Sequence, residues 1–197
     1  DGNMLLSRRG VRKTTSPLVL SAHMDHPGFR ARASRRANGG WTVSAQFLGG
    51  VRPEFFRGAR ALFFAPAAPV RAAVTHVRRN RASGELEASL RAAREVPAGA
   101  FGMWDLPAFR QAPRQRDVLE SRAVDDLAGV AAALALLDVV DRIDPRKEVD
   151  VRALLTRGEE VGFVGALAVA RGRRLPRRAR IVSLEASKAF AHAPQGA

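Results

Sequence analysis

Apolar runs that end in acidic or histidine side chains recur along this chain. Residues 17–25, PLVLSAHMD, form a continuous run of strand length, and its histidine and acid appear only at the carboxyl end. The same order recurs in residues 148–160, EVDVRALLTRGEE, and in residues 179–187, ARIVSLEAS. Continuous apolar runs of this length are typical of strands that are covered on both faces of a parallel sheet.

Helical periodicity alternates with these runs. Val130, Leu134 and Leu137 fall on one face of a helix predicted from about residue 127 to 140, and acids mark its start, where the helix dipole favours them. A Gly-rich helix, VGFVGALAVARG, is predicted over residues 161–172. The alternation predicts an α/β fold with a mostly parallel sheet, in which ligands bind at the carboxyl ends of the strands.

The middle of the chain has a different pattern of hydrophobic and polar residues. It contains short β-like pieces separated by Gly, Pro and Asn, namely GWTVSAQFLGG (40–50), ARALFFAP (59–66) and VRAAVTHV (70–77). We therefore predict a small β-rich domain, residues 30–115, inserted into an α/β domain made of residues 1–29 and 116–197.

Composition narrows the classes of function. A chain of 197 residues with 46% hydrophobic content can bury a substantial core. No stretch approaches the roughly 18 consecutive apolar residues of a membrane span, so we expect a soluble, cytoplasmic protein with no membrane partner. Because the chain has no cysteine, any metal must be held by His, Asp and Glu.

A formal net charge of +14 and a pI near 11.7 are typical of nucleic-acid-binding proteins. However, only Lys13, Lys147 and Lys188 are lysines; the other basic residues are arginines in a chain rich in Ala, Gly and Pro, as high-GC codon usage produces. The densest cluster, RGRRLPRRAR at 171–180, lies between a helical pattern and a strand pattern, where a solvated connection is expected. We therefore predict no nucleic-acid partner.

Candidate chemistry lies where the predicted strands end and where a predicted helix begins. The side chains at these places are His23, Asp25, Asp125, Asp126, Glu159, Glu160 and Glu185. If the strands are neighbours in one sheet, these side chains converge at one edge. Carboxylates crowded in a partly buried setting repel one another, and cations relieve that repulsion. The set would suit two metal ions about 3.5–4 Å apart, bridged by a carboxylate and a water.

Four motifs resemble those of one known family. They are AHMDHPGF (22–29), RAVDDLAGVAAAL (122–134), RGEEVGFVGA (157–166) and IVSLEAS (181–187). Their order and approximate spacing resemble the dinuclear metal-dependent aminopeptidases, which include the glutamyl, deblocking and tetrahedral-complex aminopeptidases. The resemblance covers almost the whole chain. It implies a three-layer α/β/α sandwich of the zinc-peptidase type, with the β-rich middle as the domain that this family inserts between its first two motifs.

The resemblance also implies a set of metal ligands. His23 would bind one metal, and Asp25 would orient it as carboxylates do for metal-bound imidazoles. Asp125 would bridge two metals, Glu185 would complete the ligands of the first, and Glu160 would bind the second. Zinc is the expected ion, with cobalt or manganese as alternatives.

The chemistry implied by the resemblance is hydrolysis of residues from the amino terminus of peptides. Glu159 would be the general base, taking a proton from the bridging water and passing it to the leaving amine. Asp126 would follow Asp125 through what is often a cis peptide bond in this family. The resemblance further implies a homo-oligomer that assembles through the inserted domain.

The chain departs from the family pattern in three ways. Glu185 stands where Asp is more common, and His26 stands where an acid is common, so that a structural role for His26 beside Pro27 is favoured. The family's second metal takes a further His from near the end of a longer chain, and neither His192 nor His76 is well placed to supply it. The sequence thus offers three protein ligands for one metal and two for the other, as a fragment or a shortened homologue would.

Other functions stay open at this point. A non-catalytic homologue or interaction domain could retain the fold and at most one metal. An amidase or deacetylase of small N-acyl compounds could use the same metals, because metal and base do not specify the acyl group. A Glu pair such as Glu159 and Glu160, taken alone, could also simply begin a helix.

Overall fold

The computed structural model describes residues 2–10, 16–37 and 39–186. The chain divides into two compact units, Asp1–His26 with Ala123–Ala197, and Pro27–Arg122. These boundaries lie at 26/27 and 122/123, whereas the hydrophobic pattern places them at 29/30 and 115/116. Strand pairing accounts for the difference, because the strand that begins at Gly28 and the hairpin that ends at Glu120 pair only with strands of the middle unit.

A four-stranded sheet organises the first unit. Its elements are β1 Met4–Arg8, β2 Leu18–His23, α1 Val124–Ile143, β11 Val151–Thr156, α2 Val164–Arg171 and β12 Arg180–Ser183. The strand order is β1-β11-β2-β12. Strand β2 pairs in parallel with both β11 and β12, and β1 runs antiparallel beside β11. The predicted α/β class is confirmed.

Alternate residues of β2 pack against different helices. Ala22 lies in a buried cluster with Ala133 of α1, and Val19 lies in another with Val169 of α2. The sequence pattern predicts Leu134 on the buried face of α1, but Ala133 is buried there and Leu134 is 39% exposed. A small side chain at the contact lets the helix lie close to the sheet. Among the described residues, no helix has the length and apolar character needed to cross a membrane.

Arg8 joins the edge strand β1 to the carboxyl end of α1. Its side chain, 6% exposed, donates to the carboxylates of Asp141 at 2.6 Å and Asp144 at 3.0 Å. The Asp144 carboxylate also accepts the main-chain N–H groups of Glu148 and Val149, each at 3.0 Å. These bonds fix the turn that enters β11, at the end of the sheet away from the carboxyl end of β2.

The second unit is a closed barrel. Its elements are β3 Gly28–Ala37, β4 Gly40–Leu48, a 3-10 turn Pro53–Phe56, β5 Arg60–Phe63, β6 Val70–Arg79, β7 Leu86–Ala92 and β8 Phe101–Trp104, followed by a hairpin of β9 Arg110–Ala112 and β10 Gln115–Glu120. The barrel order is β3-β4-β7-β6-β5-β8. Phe29, Phe47, Phe56 and Trp104 pack against one another inside it, with ring centroids such as those of Phe29 and Phe47 at 4.9 Å. The unit therefore has an aromatic core of its own.

Candidate metal centre

Three strand ends meet at one edge of the first unit. His23 is the last residue of β2 and pairs with Thr156, the last residue of β11. Glu159 and Glu160 follow β11, and Glu185 follows the end of β12. Because β11 and β12 both run parallel to β2, the segments that leave these strands emerge side by side.

An imidazole and two carboxylates come together at this edge. Ligand atoms of His23, Asp125 and Glu185 all lie within 4.8 Å of one another. The Nε2 atom of His23 is 3.0 Å from Oδ1 of Asp125 and 3.6 Å from Oε1 of Glu185. The His23 side chain is 3% exposed, while those of Asp125 and Glu185 are 49% and 51% exposed. The imidazole is thus fixed in the fold, and the carboxylates face solvent, from which an ion can enter.

The two glutamates after β11 differ in their relation to this group. Oε2 of Glu159 lies 4.0 Å from Nε2 of His23, and the Glu159 side chain is 26% exposed. Glu160 is not part of the group of three ligand side chains found among the described residues. His192, weighed above as a further ligand, lies outside the described residues.

Asp25 contacts the site through two different parts of the residue. Its main-chain carbonyl oxygen lies 2.8 Å from Nδ1 of His23, whereas its carboxylate is 3.8 Å from that nitrogen. The carboxylate instead accepts the main-chain N–H groups of Glu159 at 3.1 Å and Glu160 at 3.2 Å. The main-chain carbonyl of Asp25 is thus nearer to the His23 ring than the carboxylate, to which the resemblance assigns the orientation of that ring.

Asp126 is a buried carboxylate to which the sequence analysis gave no ligand-holding role. It is 1% exposed and follows Asp125 through a cis peptide bond, as the resemblance implies. Its carboxylate accepts the main-chain N–H of His23 at 3.1 Å and that of Gly129 at 3.2 Å, tying the end of β2 to the first turn of α1. In the sequence, this contact is indicated only by Gly129, three residues after Asp126. A side chain there would not fit, because its Cβ atom would lie 2.3 Å from Oδ1 of Asp126.

The crowded acids change the proton affinity of His23. Burial by itself would lower the pKa of this imidazole. The hydrogen bond to Asp25 and the negative charges of the neighbouring carboxylates outweigh burial, so that the pKa of His23 is raised above its ordinary value of 6.5.

The pKa values of two carboxyl groups of the site are raised as well. Burial, followed by the hydrogen bond and charge of Asp125, raises the pKa of Glu185. Burial also raises the pKa of Asp126, although the hydrogen bonds that it accepts oppose the change. Without a cation, both groups hold their protons more tightly than an ordinary carboxyl does.

These side chains fit a divalent cation. One imidazole nitrogen and two carboxylates are the ligand types that zinc takes in catalytic sites, where three protein ligands leave one position open. A cation at this place would offset the negative charge that raises the pKa values of His23 and Glu185. The donor set of the described residues therefore supports at least one metal site.

Solved structures share this fold. A TET aminopeptidase from the marine sediment archaeon Thaumarchaeota archaeon SCGC AB-539-E09 has 18% identity and a TM-score of 0.70, over 97% of this chain and 56% of its own. The Pyrococcus horikoshii TET1 peptidase, which can assemble into a tetrahedron or a large octahedral shell, has 18% identity and a TM-score of 0.66, over 99% of this chain and 61% of its own. A dodecameric structure of PhTET1-12s has 19% identity and a TM-score of 0.65, over 87% of this chain and 52% of its own.

This chain therefore spans between 52% and 61% of the length of these solved chains. No match was found among curated proteins. The sequence profile described as M42 glutamyl aminopeptidase matches residues 2–175, a range that contains the first three of the four motifs. The resemblance inferred from the motifs is thus confirmed, and the chain belongs to the M42 glutamyl aminopeptidase family.

Proposed function

We propose that this chain carries the metal-binding part of an aminopeptidase, which removes residues from the amino terminus of peptides by metal-dependent hydrolysis. The observation that supports the proposal best is the grouping of His23, Asp125 and Glu185 within 4.8 Å, with Glu159 beside it at 4.0 Å from the imidazole. Family membership is consistent with a peptidase of this kind.

Three residues would hold the first metal, namely His23, Asp125 and Glu185. A zinc ion, when bound, polarises a carbonyl group and lowers the pKa of a bound water towards about 7. Asp125 and Glu160 would contribute to a second metal site. In support of an imidazole ligand, Nδ1 of His23 faces the Asp25 carbonyl and Nε2 faces the carboxylates. A proton on Nδ1 would leave the Nε2 lone pair directed at the ion.

Glu159 would act as the general base. Its carboxylate is 26% exposed and lies at the edge of the ligand group, so it can reach a water that approaches from solvent. It would accept the proton of the attacking water and deliver it to the amine that leaves when the peptide bond breaks. Glu159 would thus move the proton, while the neighbouring side chains hold the ion.

Several wider features belong to the same proposal. One helix packed against each face of the sheet supports a three-layer α/β/α sandwich. The solved relatives are described as a dodecamer and as tetrahedral or octahedral assemblies, which supports a homo-oligomer. The barrel unit is the proposed contact surface, as the resemblance implies, and it exposes large apolar side chains such as Phe55, Phe101 and Phe109. A cytoplasmic location with peptide substrates completes the proposal.

The role of Glu159 can be tested by substitution with glutamine. Glu159→Gln should still bind zinc, because Glu159 is not one of the three ligands, but hydrolysis of a peptide anilide should fall by about 10²–10⁴-fold, since an amide cannot accept the proton. Glu148→Gln, an exposed change in the same unit, is the matched control and should hydrolyse at the wild-type rate.

Two outcomes would contradict parts of this proposal. Normal hydrolysis by Glu159→Gln would show that another group is the base. Full zinc occupancy of the wild-type chain without amino-terminal cleavage would favour a non-catalytic metal-binding homologue. Asp125→Ala should bind zinc much more weakly, which separates loss of the ion from loss of the base.

A further inference from the structure

Asn3 lies outside the ligand group, but its side chain contacts the segment that carries the two glutamates. That segment, residues 157–163, leads from the end of β11 to the start of α2 and is called the β11–α2 loop below. We propose that Asn3 is a positioning residue for the β11–α2 loop and, through the loop, for Glu159. The inference rests on the proposed function in so far as Glu159 is the base.

The side-chain amide of Asn3 makes one hydrogen bond at each end of this loop. Its Oδ1 atom accepts the main-chain N–H of Arg157 at 3.2 Å, and its Nδ2 atom donates to the main-chain carbonyl of Gly165 at 2.9 Å. The two ends also bind each other, because the N–H of Gly165 donates to the carbonyl of Arg157 at 2.8 Å. Asn3 therefore binds the N–H and the carbonyl group that this closing bond does not use.

The geometry at this place calls for an amide side chain. The two bonds need one acceptor and one donor side by side, which an asparagine amide supplies. A carboxylate would instead direct a second oxygen at the carbonyl of Gly165, where two acceptors repel each other. Gly165 is restricted too, because a Cβ there would lie 2.3 Å from Oδ1 of Asn3 and 2.5 Å from the carbonyl oxygen of Arg157. The junction thus depends on both residue types.

The bonds inside the β11–α2 loop fix its shape, and Asn3 attaches it to the edge of the sheet. The carbonyl of Glu159 accepts the N–H groups of Gly162 at 3.0 Å and Phe163 at 3.1 Å. These contacts are all within the loop. Asn3, by contrast, directly precedes β1, the edge strand that pairs with β11. Its two hydrogen bonds therefore hold the base of the loop against the start of that strand.

The position of the general base depends on where this loop lies. The carboxylate of Glu159 comes within 4.0 Å of the His23 imidazole, and its main chain belongs to the loop. A misplacement of about 1 Å in a reacting group can reduce a rate by about 100-fold. His23, Asp125 and Glu185 lie outside the loop. Loss of the Asn3 amide should therefore lower kcat, while the zinc affinity of these three ligands changes little.

Asn3→Asp tests the proposal because it keeps the size of the side chain and the acceptor for Arg157 but removes the donor to Gly165. Hydrogen exchange at the Phe163 and Gly165 amides should accelerate by about tenfold or more. In turnover, kcat should fall by about 10–100-fold with KM within about threefold of wild type. With zinc as the probe, the dissociation constant of the tightest site should stay within about threefold, in contrast to the 10–100-fold change typical of a residue that orients a metal ligand.

Leu6→Ala is the matched control. Leu6 lies on β1 and packs against the buried cluster that contains Ala133, and no member of that cluster belongs to the β11–α2 loop. Truncation of this side chain should lower the urea midpoint of unfolding at least as much as Asn3→Asp does. Exchange at Phe163 and Gly165 and kcat should nevertheless stay within about twofold of wild type. Asn3→Ala removes both hydrogen bonds without adding a charge, and it replaces Asn3→Asp if that variant fails to fold.

Three results would overturn the proposal. Unchanged exchange at Phe163 and Gly165 in the Asn3 variants would show that the amide does not hold the loop. Faster exchange with an unchanged kcat would show that the base keeps its position without Asn3. Equal losses in Leu6→Ala would show that Asn3 acts only through the stability of β1. If the zinc-loaded wild-type chain does not cleave peptides, the proposed function fails, but the exchange measurements still decide whether Asn3 holds the loop.

Discussion

At the scale of single residues, burial raises the pKa values of the Glu185 and Asp126 carboxyl groups, while a hydrogen bond and neighbouring carboxylates raise the pKa of His23 against the effect of burial. His23, Asp126 and Glu185 all have folded-state pKa values above their ordinary values of 6.5, 3.8 and 4.5. The folded chain therefore binds protons that the unfolded chain has already released. The free energy of unfolding must fall as the pH rises through the folded-state pKa values of these groups.

This linkage predicts the pH dependence of the metal-free protein. In EDTA, the stabilisation from Glu185 is complete below pH 4.5 and that from His23 below pH 6.5, and each is lost as the pH rises through the raised value. Urea unfolding at several pH values should show wild type losing more stability with rising pH than Glu185→Gln, which cannot ionise. Equal slopes for the two proteins would contradict the raised pKa of Glu185.

Zinc should reverse this trend. Because zinc displaces protons from its ligands, its affinity should rise with pH over the same range. Zinc at about 100 times its dissociation constant should stabilise the chain by about 2.7 kcal/mol. The stabilisation can be measured as the difference between zinc and EDTA unfolding curves, and it should be absent in Asp125→Ala.

The sequence allowed His23, Asp125 and Glu185 to be predicted at one edge of the sheet, because each follows an apolar strand or begins a helix. It did not allow the contacts of Asp25 or Asp126 to be predicted. Those contacts depend on how the turn after β11 directs its N–H groups and on the path of the chain at the start of α1. Such directions are set by long-range packing, and no local pattern of residue types records them.

At the scale of elements, the joint between β2 and α1 positions the ligands. The buried carboxylate of Asp126 receives one N–H from each element, and Gly129 lets the helix approach it. His23 and Asp125 extend from the two sides of this joint. Their 3.0 Å separation therefore depends on the contact between Asp126 and Gly129.

Substitution of Gly129 tests this joint. In Gly129→Ala the new Cβ would lie 2.3 Å and 2.7 Å from the two oxygens of the buried Asp126 carboxylate, which must shift. We expect a net destabilisation of about 1–3 kcal/mol, despite the better helix propensity of Ala, together with weaker zinc binding. Gly50→Ala is the control, because nothing lies within 4 Å of a Cβ there. Wild-type zinc affinity in a folded Gly129→Ala protein would show that the joint does not position the ligands.

Strands with a strong hydrophobic pattern could be predicted from the sequence, whereas a strand with a weak pattern could not. Strand β2 and strand β11 stand out because both faces are covered and four of the six residues in each are apolar. Strand β7, LEASLRA, was missed although its alternate residues Leu86, Ala88, Leu90 and Ala92 are buried. Its composition favours a helix, since Ala, Leu, Glu and Arg are good helix formers, and only the barrel partners on both sides impose the extended form.

At the scale of the whole molecule, the chain combines two units with separate cores. The aromatic cluster of the barrel consists entirely of residues within 27–122, and both tryptophans of the sequence, Trp41 and Trp104, belong to that unit. Tryptophan fluorescence therefore reports on the barrel, and metal binding reports on the other unit. Closure of the barrel pairs each of its strands on both sides, which favours independent stability.

The barrel should fold when it is produced alone. A polypeptide of residues 27–122 should unfold cooperatively in urea, with tryptophan emission like that of the full chain. Phe56→Ala, which empties a fully buried position, should destabilise it by about 3–5 kcal/mol, whereas the exposed change Phe55→Ala should have little effect. A non-cooperative transition of the isolated polypeptide would show that the barrel depends on the rest of the chain.

The position of bound zinc would show whether His23, Asp125 and Glu185 form a metal site. Diffraction data collected at the zinc absorption edge from crystals of the full chain grown with zinc should show an anomalous peak within bonding distance of His23, Asp125 and Glu185. The same peak should be missing from crystals of Asp125→Ala. Zinc bound only elsewhere, or no peak at these three side chains at saturating zinc, would show that they do not form the metal site.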